Sequence, residues 1–449
     1  MPARPGSSGA GGAADFVARE SPVTMRYRLD PTASEQPRQH APHRPASSRA
    51  DRPLVKLAIG SGSMGSRDVA TTAPHVLLVE ARLPQYRVTT WTRLRDALAF
   101  RNIRFTLAVG HPDNIERGAQ DERDLDWAIR CSTTHWHLGP LHARNIRSHP
   151  LPGRKDVTHV ILEQALTDLG TYRTWARARR YGLPVGLFGH GMNYSHSPHS
   201  TRNVLKRAMT LRADWFFSYT AGGSQNLRQA GYPADRITVV NNALEDLALQ
   251  NIDPLCRPAQ ARLLRESLVS TSGVLGLFIG ALEPRKGLDV LLAALPMIVD
   301  RVPHFHLIVA GSGQLQRDVM KAAADGLPVS AVGRVDDELK ARVLLASDVM
   351  IMPRHLGLAV VDALHAGRPV VTTVGRWHNP EAEYLTPANS IWTAPDARAL
   401  ADGVIGVVGD PTRLARMQRA AFDVGQKVTL DNMVSQFADG IARWVSRDG

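Results

Sequence analysis

The sequence predicts an α/β fold with two Rossmann-like domains that face each other across a cleft. From His75 to about Asn241, short apolar runs alternate with helical patterns, which is typical of a parallel sheet with helices on both faces. A polar stretch at 253–273 interrupts the alternation, and a second set of strands begins at Leu275. The chain has 449 residues, and one core seldom grows beyond about 250–300 residues, so two domains are expected.

The amino-terminal region is predicted to be a disordered tail and linker. It is rich in Pro, Ser, Ala, Gly and Arg, so it has little apolar surface to offset the entropy cost of ordering. Gly60, Gly62 and Gly65 match a dinucleotide-binding pattern, but Pro74 ends the segment before the long helix that this pattern requires. We interpret them as a flexible linker. The predicted segments are the tail and linker at 1–73, a first domain at 74–252, a connector at 253–273, a second domain at 274–428, and a terminal helix at 429–449 that crosses back to the first domain.

The chain is basic. Lys and Arg number 54 against 42 Asp and Glu, giving a net charge of +12 and a pI near 10.1, so the surface attracts anions. Zinc-finger spacing, RRM-like aromatic motifs and leucine zippers are missing, which argues against nucleic acid as a partner. The densest basic window, Thr171–Gly182, predicts either a helix resting on an anionic membrane or a solvated arginine face with Trp175 packed inward.

Cysteine usage favours a reducing compartment. The two cysteines, Cys131 and Cys256, cannot build a disulfide framework or a thiolate metal site. The sequence shows neither an apolar signal segment nor a run of about 20 apolar residues. The expectation is a cytoplasmic protein, with peripheral contact at the inner face of the membrane left open.

Loops in the second domain carry residues suited to an anionic ligand that contains ribose. Arg285 and Lys286 follow its first strand, and a lysine there can bind a phosphate. A strand at 348–352 gives way to a helix at 358–365, so the N–H groups of Gly357 and Leu358 are predicted to point at a ligand.

Three other residues of these loops complete the predicted site. Asp362 lies one helical turn beyond Leu358 and can accept a hydrogen bond from a ribose hydroxyl. Gly311 and Gly313 precede another helix, where glycine lets the backbone approach a phosphate or a sugar. Together the loops predict a nucleotide-sugar site.

In order and spacing, these loops resemble the carboxy-terminal half of the retaining glycosyltransferases of family 4, which have the GT-B fold. Segments 81–88, 187–194 and 237–245 resemble a subset of that family, so the resemblance covers about Pro74 to the end. It implies that the second domain binds a nucleoside-diphosphate sugar and the first domain binds the acceptor. It also implies retention of anomeric configuration, without a metal or other cofactor.

Further residues take their roles from the resemblance. His190, between two glycines, is implied to approach the donor sugar, and Glu381 stands in the family's Pro-Glu loop. Arg334 and Val335 match the place where family members bind the base through main-chain groups. Core packing is an equally open reading of Val335.

The chain departs from the family pattern at two positions. Ala281 stands where the family has an arginine, so one phosphate cation is missing and Arg285 is the candidate to replace it. Arg354 stands at the first glutamate of the Glu-x7-Glu pattern, and Asp362 at the second. Because the family's first glutamate faces the donor-sugar hydroxyls, Arg354 suggests an acidic or otherwise altered donor sugar, or a site that has lost turnover.

On the acceptor side, the loop after the first strand is predicted to border the cleft. Arg82, Tyr86 and Arg87 are candidates to bind an acceptor phosphate. The alternative is that Tyr86 packs under the loop while both arginines are solvated.

Two patterns suggest metal binding, and we interpret both as polar surface. Asp124 and Asp126 form a D-x-D pattern inside a charged helical stretch, while His196 and His199 lie near His190 without a carboxylate or cysteine to complete a set.

The sequence therefore predicts transfer of a sugar from a nucleoside-diphosphate sugar to a hydroxyl of a glycan, lipid-linked or small-molecule acceptor. Two alternatives stay open. One is a non-catalytic GT-B relative that binds a nucleotide or glycan as a partner subunit, and the other is a nucleotide-sugar epimerase.

Overall fold

The computed structural model describes residues 73–112, 123–138, 141–191, 200–245 and 273–448, with a few single residues between 249 and 266. Several sequence predictions lie outside the described residues. They are almost all of the tail and linker at 1–73 with its glycine pattern, most of the connector at 253–273, His196 and His199.

The first sheet has seven parallel strands in the order β3-β2-β1-β6-β7-β8-β9. Apolar runs form its central strands, which are buried along almost their whole length, as expected for a sheet covered on both faces. An antiparallel hairpin, β4-β5, lies apart from the sheet. The strands are β1 His75–Glu80, β2 Arg104–Val109, β3 Ile129–Arg130, β4 Thr133–Leu138, β5 Leu141–Ile146, β6 His159–Glu163, β7 Val185–Gly189, β8 Trp215–Ser218 and β9 Ile237–Val239.

Helices cover both faces of this sheet. Val76 and Leu78 of β1 belong to one core cluster and Leu77 and Val79 to another, because side chains alternate across a strand. The first cluster includes α1 and the terminal helix α11, while the second includes α2, α3 and α4. The helices are α1 Gln85–Phe100, α2 Leu169–Arg180, α3 Thr201–Thr210, α4 Ala221–Gln229 and α11 Leu430–Asp448.

Helix α11 follows the second sheet in the chain but packs on the first. The Phe437 ring lies 4.6 Å from Phe217 of β8, and Trp444 is fully buried against the same sheet. The helix therefore joins the two lobes, because its chain continues from the second lobe and its side chains pack in the core of the first.

The second sheet has six parallel strands in the order β12-β11-β10-β13-β14-β15. Its strands are β10 Leu275–Ile279, β11 His306–Ala310, β12 Val329–Gly333, β13 Val349–Ile351, β14 Val370–Thr373 and β15 Ser390–Thr393. Its helices are α5 Leu288–Arg301, α6 Gln316–Ala324, α7 Asp337–Ala346, α8 Ala359–His365, α9 Ala397–Val408 and α10 Pro411–Gly425.

The strand order of each sheet reverses once, and the reversals locate the ligand crevices. In the first sheet the chain order reverses between β1 and β6, and in the second between β10 and β13. Ligands of open α/β sheets bind outside the carboxyl ends of the strands at such points. The loops that follow β1, β6, β10 and β13 are therefore the candidate site.

None of the helices in the described part of the chain combines the length and apolar character that crossing a membrane requires.

Candidate functional site

Lys286 lies in the turn that follows β10. A short 3-10 turn, Pro284–Lys286, is ended by Gly287 in the left-handed region at φ 76°, where a side chain would also press on Pro353. Lys286 Nζ donates to the carbonyl oxygen of His355 at 2.7 Å. Burial, with Arg285 nearby, lowers the Lys286 pKa to about 8. Arg285 is exposed and pairs with Glu283.

The loop after β13 lies beside Lys286 and against the first lobe. His355 has a left-handed backbone, φ 48°, which is unusual for a residue other than glycine. Helix α8 begins at Ala359, one residue later than predicted, so Leu358 is its N-cap. The N–H groups of Gly357 and Leu358 have no acceptor among the described residues. Leu358 packs on the core of the first lobe, which puts this loop at the cleft.

His378 braces that loop, and sequence reasoning missed this. Its Nδ1 accepts from the backbone N–H of Leu356 at 3.3 Å, and its Nε2 donates to the carbonyl oxygen of Thr373 at 2.8 Å. Burial lowers the His378 pKa, which keeps the ring neutral and suits one accepting and one donating nitrogen. The loops after β13 and β14 are thus joined through a single imidazole.

Asp362 is buried and already has a partner. Its Oδ1 lies 3.1 Å from Nζ of Lys340 on helix α7, an ion pair that the sequence analysis missed. A ribose hydroxyl would have to share the carboxylate with Lys340, and this contact stays a prediction.

Gly311 and Gly313 allow neighbouring loops to pack closely, while their contact with a phosphate or a sugar stays a prediction. A Cβ on Gly311 would lie 1.8 Å from the carbonyl oxygen of Gly280, and a Cβ on Gly313 would lie 2.6 Å from that of Leu282. The two glycines are therefore required by packing between neighbouring loops. In contrast, a Cβ on Gly333 would have nothing within 4 Å.

Arg334 and Val335 follow Gly333 at the end of β12. Arg334 is exposed, while Val335 is half-buried and packs on the second core. The core-packing reading of Val335 is therefore correct, and main-chain contact with a base stays a prediction for both residues.

Glu381 lies where the two lobes meet. It is buried, and its Oε1 accepts from Asn242 Nδ2 of the first lobe at 2.6 Å. Burial raises its pKa. In the same turn, Glu383 accepts from the backbone N–H of Gly222 at 2.7 Å, and Tyr384 Oη donates to the carbonyl oxygen of Asn242 at 3.1 Å. Glu381 thus lies at the cleft between the lobes, bound to Asn242. Its contact with a donor sugar stays a prediction.

Arg87 lies in the first turn of helix α1, which starts at Gln85. Arg87 is only 3% exposed, so the reading of it as a solvated arginine is wrong. Its guanidinium lies within 6 Å of four aromatic rings, and Nη2 donates to Tyr219 at 3.4 Å. Tyr86 is 40% exposed, so it does not pack under the loop; Arg82 is half-buried.

Glu80, at the end of β1, is a cleft carboxylate that sequence reasoning missed. It accepts from the indole N–H of Trp91 and lies 3.9 Å from Arg87 Nε. Burial raises its pKa to about 8, while Arg87 acts in the opposite direction. Its only sequence signal is a charged residue closing an apolar strand.

His190 follows β7 at the same edge. Its ring centroid lies 4.3 Å from that of Tyr219. Burial, with Lys206 and Arg87 nearby, lowers its pKa to about 3, so the imidazole is neutral near pH 7. A neutral ring can exchange hydrogen bonds with a sugar but cannot act as a cationic acid.

In the described part of the chain, no three His, Cys, Asp or Glu side chains are grouped so that they could hold a metal ion. Asp124 of the D-x-D pattern forms an ion pair with Arg130.

Comparison with known proteins places this geometry in context. Residues 274–410 match the family described as Glycosyl transferases group 1. A phosphatidyl-myo-inositol mannosyltransferase of Mycobacterium tuberculosis is 36% identical over 146 residues, which cover 29% of this chain and 37% of that protein. A GDP-mannose-dependent monoacylated alpha-(1-6)-phosphatidylinositol monomannoside mannosyltransferase of Corynebacterium glutamicum is 28% identical over 151 residues, 31% of this chain and 39% of that protein. The chain thus spans under half the length of these relatives.

Solved structures share the fold over most of the chain. Anabaena HepE in complex with UDP has a TM-score of 0.57 at 18% identity, covering 82% of this chain and 99% of that one. Sucrose-phosphate synthase of Thermosynechococcus elongatus has a TM-score of 0.59 at 16% identity, covering 84% and 100%. The predicted GT-B fold is confirmed.

Proposed function

We propose that this protein transfers a sugar from a nucleoside-diphosphate sugar to an acceptor hydroxyl. The observation that carries the proposal is the position of Lys286, a half-buried cation at the carboxyl edge of the second sheet. It is bonded to His355, in the same loop as the N–H groups of Gly357 and Leu358. A cation and backbone donors arranged in advance stabilise a leaving diphosphate. The match of residues 274–410 to a glycosyltransferase family supports the same assignment.

In the proposed reaction, the bond between the anomeric carbon and the diphosphate oxygen breaks, and its electron pair stays on the diphosphate. The acceptor oxygen forms the new bond to that carbon, and its proton passes to a diphosphate oxygen or to solvent. Retention of configuration, as in family 4, is part of the proposal and rests on the sequence resemblance. His190 orients the donor sugar as a neutral hydrogen-bonding group.

The acceptor is proposed to enter over the first sheet, at the rim formed by Arg82 and Tyr86. Relatives are named for transfer to phosphatidyl-myo-inositol, and we propose a lipid-linked acceptor here as well. The face of α2 and α3 suits a membrane surface that carries such a lipid. It exposes Leu169, Tyr172, Tyr181, Val204, Leu205 and Leu211 among arginines.

The proposed reaction depends on Lys286 for the positive charge at the diphosphate and includes no metal ion. Excess EDTA is therefore expected to leave turnover unchanged. Loss of turnover on chelation, restored by Mg²⁺ or Mn²⁺, would contradict this part of the proposal.

The decisive experiment measures release of nucleoside diphosphate from a panel of nucleotide sugars, with phosphatidylinositol and simple glycosides as acceptors. Release that depends on an acceptor and is lost in Lys286→Ala supports the transferase. Binding across the panel without turnover favours a partner subunit. An isomerised donor formed without any acceptor favours an epimerase.

A further inference from the structure

Arg354 lies between the two loops that we propose hold the diphosphate. Its backbone N–H donates to the carbonyl oxygen of Lys286 at 3.1 Å. Its side chain passes over Gly287, where a Cβ would lie 3.1 Å from Arg354 Cγ. Because β10 and β13 are neighbours in the sheet, a group attached to a diphosphate at Lys286 lies close to Arg354.

The Arg354 side chain pairs with an aromatic ring from the next strand end. Its guanidinium carbon lies 5.4 Å from the centroid of Trp377, which follows β14. Arg354 Nε and Trp377 Nε1 are both buried, and neither has an acceptor within the residues that the structure describes. Since buried polar atoms in proteins are nearly always paired, two neighbouring donors of this kind indicate a ligand acceptor.

The charges at this edge of the sheet also indicate a ligand with an acceptor group. Arg285 pairs with Glu283, and Glu381 is bound to Asn242. Arg354 forms no ion pair with any carboxylate in the described ranges. Because Lys286 binds the diphosphate in the proposed reaction, the positive charge of Arg354 remains available for another anionic group of the ligand.

We infer that Arg354 and Trp377 bind the carboxylate of a nucleotide-linked hexuronic acid, an inference that rests on the proposed transferase function and names its donor class. A carboxylate brings a full negative charge and two acceptor oxygens, which suit a guanidinium and an indole N–H. The hydroxymethyl group of a neutral hexose at the same carbon brings neither.

A phosphate contact is the competing role for Arg354, because Ala281 leaves the diphosphate without one expected cation. The two roles differ in their consequences. A phosphate contact strengthens the binding of every donor alike, whereas a carboxylate contact strengthens only the uronates.

Calorimetric titration of the full chain with matched donor pairs separates these roles. The pairs are UDP-glucuronate with UDP-glucose, UDP-galacturonate with UDP-galactose, and GDP-mannuronate with GDP-mannose. In the pair whose base and sugar fit the site, we expect the uronate to bind about 10- to 100-fold more tightly, the range for a hydrogen bond to a charged group.

Variants test the residues themselves. Arg354→Gln is expected to remove the preference by weakening only the uronate. Trp377→Phe keeps the ring under the guanidinium and removes only the indole N–H, so it should reduce the preference in part. Arg376→Gln, the same substitution at an exposed arginine nearby, should leave the preference intact. Thermal unfolding of each variant shows that it is folded.

Two results overturn the inference alone: a neutral donor that binds as tightly as its uronate, or an Arg354→Gln variant that weakens both members of a pair equally. Binding of no donor at all contradicts the proposed transferase function together with this inference.

Discussion

Asn242 and Glu381 join the two lobes through a buried hydrogen bond of 2.6 Å between Asn242 Nδ2 and Glu381 Oε1. The turn that holds Glu381 makes two further bonds to the first lobe, through Glu383 and Tyr384. All three bonds would have to break for the lobes to separate at this point. The turn at 380–384 is therefore a latch across the cleft.

Substitution of Asn242 tests the latch. Asn242→Ala removes the donor and leaves Glu381 buried without it, so we expect a loss of about 1–3 kcal/mol in the free energy of unfolding. Urea unfolding measures this loss. Asn432→Ala, at an exposed asparagine, is the matched control. An equal effect in both variants would show that the bond contributes nothing specific.

The Lys286 charge predicts how donor affinity depends on pH. With a pKa near 8, the free protein holds this ammonium charged below that pH and loses the charge above it. Donor binding is therefore expected to weaken as pH rises from about 7 to 9, because a neutral amine no longer attracts the diphosphate. Calorimetric titration with a nucleoside diphosphate across this range gives the measurement.

Lys286→Arg supplies the control for that profile. Arginine stays charged throughout the range, so the variant should show a flat pH dependence even if its different geometry lowers affinity overall. A profile that falls in the same way in both proteins would assign the titration to another group.

Glu80 predicts a pH dependence of stability. Its pKa in the folded protein, about 8, lies above the ordinary value of 4.5 for a glutamate, so the folded state binds more protons between these two pH values. Its contribution to stability is thus present at low pH and declines as pH rises through this window. Glu80→Gln keeps an acceptor for Trp91 and removes the titration, so the drop in unfolding free energy from pH 5 to pH 8 should shrink.

Glu338→Gln, at an exposed carboxylate on α7, is the control for Glu80. Denaturant unfolding at pH 5, 6.5 and 8 compares both variants with the parent protein. A Glu80→Gln profile parallel to that of the parent would remove Glu80 as the source of the pH dependence.

The fold could be predicted because its strands are short apolar runs separated by helical patterns, a signal that lies within each segment. The start of α1 at Gln85 could not be predicted from helix propensity, for a local reason. Val88, Thr89 and Thr90 are β-branched and lower helix propensity, and burial of Thr90 and Trp91 outweighs that preference.

The site could be predicted only in part. The turn that carries Lys286 could be predicted because a glycine-bounded turn is a local pattern, while the binding of a diphosphate there stays a prediction. The partners of the predicted residues are remote in sequence: Asn242 lies 139 residues from Glu381, and Tyr219 lies 132 residues from Arg87. Such pairs depend on how the lobes meet, which no local pattern encodes. The packing of Gly311 and Gly313 against the loop at Gly280 and Leu282 is likewise a relation between segments, which the local glycine pattern does not show.

Helices α2 and α3 form a basic face on the first lobe. Between Gln164 and Asp214 the chain has eight basic residues and two acidic ones, of which Asp168 is buried and Asp214 pairs with Arg179. Trp175 packs partly inward, as the solvated-face reading expects, yet apolar side chains remain exposed among the arginines. Sedimentation with phosphatidylglycerol vesicles is expected to bind the protein, whereas phosphatidylcholine vesicles should not.

A charge-matched comparison decides whether this face makes the contact. Changing Arg180, Arg207 and Arg212 together to Gln should weaken vesicle binding roughly 100-fold, at about 1 kcal/mol for each residue. The control changes Arg317, Arg398 and Arg416, exposed arginines of the second lobe, to Gln. Both triple variants lower the net charge equally, so equal losses would mean that overall charge alone drives binding. A loss confined to the first variant assigns the membrane contact to α2 and α3.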